Sequence, residues 1–168
     1  MTISNFLQFC GVAAVLAAII ALLSVFVSVN MKKYFSQIIW VLYANTFLFL
    51  FAFMGIYLAQ IEEGGLLGTI GFVIVVLGVS FANSERKFGN VAGYQLATLL
   101  FSVAFIIFGI VSWGGGFFPR WVPLAWFMAI LFGLPGQFIK PYEALGDRLG
   151  VIFFAVGMIG AGYTLFVG

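Results

Sequence analysis

Residues 62–87 read EEGGLLGTIGFVIVVLGVSFANSERK. Between the acids Glu62 and Glu63 and the bases Arg86 and Lys87, the stretch Leu66–Asn83 holds no ionisable side chain. A helix rises about 1.5 Å per residue, and roughly 20 mainly apolar residues cross the ~30 Å hydrocarbon core of a bilayer. A membrane β-strand would instead alternate apolar and polar positions over about 10 residues. Val73–Val79 carries no polar side chain at all, so the stretch predicts a membrane-spanning helix.

The same reading extends along the chain. Its 168 residues are 64% hydrophobic and 7% charged, against about 25% charged in soluble domains. Spans are expected near Phe6–Asn30, Ser36–Ile61, Leu66–Asn83, Val91–Trp113, Trp121–Phe138 and Leu149–Val167. The fold class this predicts is an all-α integral membrane protein of six transmembrane helices, with residues 1–168 forming one domain. Phe47, Phe49, Phe51 and Phe53 mimic strand alternation, but Leu48, Leu50 and Ala52 between them are also apolar. A lipid-facing helix accounts for that run.

Loop charges set an orientation, because Lys and Arg near span ends favour the cytoplasmic face. Lys32 and Lys33 follow span one, Arg86 and Lys87 follow span three, and Lys140 and Arg148 bracket the connection between spans five and six. Only Arg120 joins Glu62 and Glu63 on the opposite side. Both termini are therefore expected on the outer, non-cytoplasmic side, in what reads as a bacterial or archaeal plasma membrane. No basic residue precedes Phe6, which predicts an uncleaved first helix rather than a signal peptide.

At an offset of 82 residues, Gly64, Leu67, Gly68, Ile70, Phe72 and Gly78 meet Gly146, Leu149, Gly150, Ile152, Phe154 and Gly160. Halves 1–84 and 85–168 of three spans each would form a 3+3 inverted repeat. Shared composition is the competing reading, since Gly, Leu, Ile and Phe dominate both segments. Small residues at helical spacing mark close-packing faces. Span one offers Ala14, Ala17, Ala21, Ser24 and Ser28; span three offers Gly64, Gly68, Gly71, Gly78 and Ala82. Span four offers Gln95, Thr98, Ser102 and Gly109; span six offers Gly150, Gly157, Gly160 and Thr164. The expected arrangement places these four at the centre, with bulky spans two and five outside. Residues 114–121, GGGFFPRW, read as an interfacial turn in preference to a re-entrant plug, and Leu134-Pro135-Gly136 as the end or kink of span five.

Following each span from its expected side puts Ser24, Ser28, Asn45, Thr46, Ser80, Asn83, Gln95 and Thr98 in the cytoplasmic half. They are candidates for a polar solute site or for helix-to-helix hydrogen bonds worth about 0.6 to 2 kcal/mol each. Lys32, Lys33, Arg86, Lys87, Lys140 and Arg148 are candidate contacts for lipid headgroups. No Asp, Glu, Lys, Arg or His falls inside a span, which argues against ion-coupled transport.

Chemistry is poorly provided for. His is absent and Cys10 is alone, which removes the usual ligands for zinc, copper and haem iron and any intrachain disulfide. No metal or cofactor is expected, bound lipid or pigment being left open. The polar interfacial cluster of Glu85, Arg86, Lys87, Lys140, Tyr142, Glu143, Asp147 and Arg148 lacks a catalytic motif, and Glu143 and Asp147 are expected to pair with Lys140 and Arg148. The chain thus reads as non-enzymatic. Six basic residues split among three short loops make no nucleic-acid footprint.

The six-span, both-ends-out plan is similar to that of small urea and amide channels, and the Ala stripe of span one resembles a packing helix of vitamin-importer subunits. The channels are rich in Trp and Glu where this chain is rich in Phe and Gly, and no motif assigns a family. Two functional expectations follow. The first is a structural or accessory subunit of a larger membrane assembly, with lipids, other subunits or further copies of itself as partners. The second is a channel or carrier for a small neutral or weakly charged solute.

Overall fold

A computed structural model describes residues 2–30, 35–82, 84, 87–88 and 91–168. Lys32, Lys33, Asn83, Glu85 and Arg86 lie outside the described residues, as do the side chains of Ser28 and Lys87. The described chain is all-α: α1 (Ile3–Asn30), α2 (Phe35–Ala59), α3 (Ile61–Ala82), α4 (Gly93–Gly115), α5 (Trp121–Gly136) and α6 (Glu143–Val167). A two-residue antiparallel ribbon, Lys87–Phe88 with Val91–Ala92, lies between α3 and α4, and a 3-10 turn at Lys140–Tyr142 leads into α6.

Four helices have stretches long and apolar enough to cross a membrane: Ile3–Val25, Ile61–Ala82, Gly93–Gly115 and Lys140–Val167. The apolar stretches Tyr43–Ala59 of α2 and Trp121–Gly136 of α5 are shorter. This composition and length are compatible with a helical membrane protein.

Local sequence explains the breaks. Ala59 and Ile61 are separated only by a turn at Gln60, and α3 is interrupted at Gly65 (φ 45°, ψ −129°), a left-handed geometry open to glycine. The continuous part of α3 therefore begins close to Leu66, where the uncharged run starts. At the other end of α4, Gly116 (φ 72°, ψ 7°) caps the helix and its N–H bonds Ser112 O. In the following turn Phe118 folds inward and is 1% exposed, while Arg120 lies over the Trp113 ring. Helix α5 ends at Gly136, directly after Pro135.

Each helix touches its neighbour in sequence and α6 returns to α1, closing a ring; α2 also touches α6 across it. The broadest contacts are α5 with α6, α1 with α6 and α3 with α4. This corrects the expected inner quartet. Helix α3 is the least buried long helix, at 22%, whereas α2 and α5 turn Phe53, Ile56 and Trp126 inward. Inside the ring, Phe53 packs on Phe101, Phe105 and Phe108, and Phe105 meets Trp126 and Phe154. Bulky aromatics supply the core, while glycines let backbones approach around it.

The small-residue faces pair in ways their spacing does not specify. Glycines of α3 meet α4: Gly71 lies against Ile107 and Phe108, Gly78 against Phe101. The offset-matched glycines of α6 meet α5 instead, Gly146 against Gly136 and Gly150 against Gly133. On another side of α6, Gly162 lies against Gly11 of α1.

Candidate functional site

Two adjoining cavities open the ring at one end. One, the chamber, is an open cleft of about 360 Å³ between α1, α2, α4, α5 and α6, with Phe49, Phe53, Phe101, Phe105 and Phe154 in its wall. The other, the vestibule, about 400 Å³, is lined by polar groups including Gln95, Lys140 and Glu143. Thr98, Gln137 and Asp147 line both and form the boundary between them. Thr98 comes from the first turns of α4, Gln137 from just beyond α5 and Asp147 from the first turns of α6. Their convergence follows from the antiparallel course of successive helices, which brings these element ends together.

A short hydrogen-bonded chain ties the boundary. Gln137 donates through Nε2 to Asp147 Oδ1 at 2.8 Å. Gln95 makes a long 3.5 Å contact from Nε2 to the Gln137 carbonyl, while its Oε1 accepts the Ala92 N–H at 3.0 Å, fastening the start of α4. Thr98 and Ser102 donate back to Tyr94 O and Thr98 O within α4, leaving their hydroxyl oxygens as acceptors. With one hydrogen bond to Oδ1, the Asp147 carboxylate retains acceptor capacity. The site thus offers an aromatic pocket capped by amide, hydroxyl and carboxylate groups.

Of the polar residues singled out from sequence, Gln95 and Thr98 are brought together here. Ser24 bonds Ala21 O within its own helix, and Ser80 bonds Val76 O on an exposed face of α3. Asn45 is buried on α2 outside both cavities, and its Oδ1 finds no hydrogen-bond partner among the described residues. Thr46 is half-buried on α2 and lines neither cavity. Lys140 and Arg148 are exposed, Lys140 at the vestibule.

Sequence reasoning missed Gln137 and treated Asp147 as a loop acid paired with a base. The correction has a simple cause. Helix α6 starts at Glu143 rather than near Leu149, so Asp147 lies on its inner face, and it accepts its hydrogen bond from Gln137. Gln60, 2% exposed at the opposite end, was also missed; its amide donates to Ser112 Oγ and joins the α2–α3 turn to α4.

Apolar helices ringed around an aromatic core define a class, the polytopic helical proteins, with which this chain is compatible. Comparison with protein-family models, with curated proteins and with solved structures finds no match.

Proposed function

We propose that the protein is a non-catalytic, multi-pass membrane protein that binds a small amphipathic solute in the cytoplasmic half of its helix ring and acts as its channel or carrier. The observation that carries this reading is the pair of adjoining cavities, an aromatic chamber beside a polar vestibule, with Thr98, Gln137 and Asp147 lining both. Ligand sites are characteristically concave, mainly apolar and supplied with a few convergent polar groups, at volumes of about 300–1,000 Å³. The accessory-subunit reading rests on the absence of charge within the spans and on bulky faces of α2 and α5; Phe53 and Trp126 turn inward, while Trp40, Phe47 and Leu131 remain outward as its support.

The proposed topology is six spans with both termini outside and the vestibule facing the cytoplasm of a bacterial or archaeal cell. It rests on the loop charges, with Lys140 and Arg148 at the vestibule end and Glu62 and Glu63 at the other. A 3+3 inverted repeat would relate α3–α4 to α6–α1, both broad, and α2–α3 to α5–α6, which differ in breadth, while the offset-matched glycines pack on α4 in one half and on α5 in the other, so the packing gives the repeat little support. Membrane lipids are the proposed surroundings of the exposed faces.

The test is binding of 3-phenylpropanol to protein reconstituted in phosphatidylcholine nanodiscs, followed by saturation-transfer NMR against empty nanodiscs. Saturable binding that is lost in both Ser102→Leu and Val151→Phe, which fill the chamber from α4 and α6, supports the reading. Unsaturable partitioning equal to that of empty nanodiscs, or saturable binding untouched by both variants, defeats it.

A further inference from the structure

Among the described residues, Asp147 is the one ionisable side chain that lines the chamber, whose remaining wall is apolar apart from Thr98, Ser102 and Gln137. Resting on the solute-binding reading above, we infer that the solute is a monocationic amphiphile, an aromatic or alkyl amine whose apolar body occupies the phenylalanine chamber and whose ammonium meets Asp147. Three features converge on that chemistry.

The first is the unequal demand for partners at the chamber boundary. Asp147 accepts from Gln137 Nε2, but a carboxylate has two oxygens and about four acceptor sites. Asp147 is half-buried and shares the vestibule with Glu143, so a cation there is favoured over an anion. Lys140 lines only the vestibule, and Glu143 stands there with it, so the described charged groups around the vestibule are two acids and one base.

The second is the aromatic wall. Phe49 and Phe154 meet edge to face at 5.2 Å, and Phe53 and Phe101 stack at 6.2 Å. Such a wall takes up the apolar body of a solute and leaves its polar end at Asp147. A neutral solute gains only from the apolar surface. An anion meets Asp147 unfavourably.

The third is the order of the two compartments. The charged group lies between the chamber and the polar vestibule, so a molecule with one apolar body and one hydrated cationic end matches the gradient in a single orientation.

The experiment compares three near-isosteric probes, 3-phenylpropylamine, 3-phenylpropanol and 3-phenylpropionate, on the full chain in phosphatidylcholine nanodiscs at pH 7. The expected order of affinity is amine over alcohol over carboxylate, with the amine at least about tenfold tighter than the alcohol, a factor equivalent to 1.4 kcal/mol. Asp147→Asn is expected to remove that advantage, weakening the amine about tenfold more than the alcohol, and an unchanged helical circular dichroism spectrum reports that the variant is folded. The wild-type ranking stands as a separate readout should Asp147→Asn fail to fold. Equal binding of amine and alcohol, or equal weakening of both in Asp147→Asn, overturns the cationic assignment and leaves the solute site intact. Saturable binding of none of the three overturns both.

Discussion

A methyl group at Gly150 would lie 2.6 Å from Gly133 Cα and 3.4 Å from Ala129 O, contacts that only a shift of α5 against α6 relieves. Gly150→Ala should therefore lower the unfolding midpoint in detergent by the equivalent of about 1–3 kcal/mol, the usual range for overpacking. Gly114→Ala, with nothing within 4 Å of the added carbon, should leave the midpoint unchanged or raise it slightly. Comparable losses in both variants would remove the α5–α6 seam from the description. These glycines were legible as a close-packing stripe from their spacing, but their partner was not, because a small-residue face permits approach to any helix that presents a matching one. Asp147 illustrates a different limit. Its charge marked it as interfacial, while its role at the chamber depended on the helix start at Glu143, which no apolar periodicity announces.

At the scale of elements, burial separates tryptophans that composition treats alike. Trp126 of α5 is fully buried against Phe105 and Phe118, whereas Trp40 of α2 is 75% exposed. Trp126→Ala should destabilise clearly in thermal denaturation. The loss should fall below the roughly 3–5 kcal/mol of aqueous cores, because lipid tails solvate the released surface almost as well as protein does. Trp40→Ala should be close to neutral. Helix α3 gives a complementary test: Val73 is 52% exposed and Val75 fully buried. A nitroxide at Val73 should collide with oxygen dissolved in the bilayer, while one at Val75 should be shielded or should perturb the fold. Helix existence was the best-read layer of this chain, since uncharged runs such as Leu66–Asn83 carry their own signal. Which helices sit inside was not, because bulk alone does not distinguish Phe53 and Trp126, which fill the ring, from Phe47 and Trp40, which leave it.

For the molecule as a whole, the ring explains why one sequence combines glycine seams with 22 phenylalanines. Backbones meet closely around the perimeter, as at Gly11 with Gly162, and rings fill the space enclosed. The filling is incomplete towards the end carrying Lys140, where the two cavities open. In oriented vesicles, with Cys10→Ser as background, Gly114→Cys should be labelled by an impermeant maleimide from one face only and Lys140→Cys from the other. Labelling of both from one face would contradict the proposed topology. The most direct measurement is the reactivity of Thr98→Cys in that background towards a charged, membrane-impermeant thiosulfonate, with and without 3-phenylpropylamine. A water-filled site predicts modification from the Lys140 face at a rate well above that of the lipid-facing control Val103→Cys, and protection that saturates with the amine. Modification no faster than the control, or a rate the amine leaves unchanged, would contradict a solute site between α4, α5 and α6.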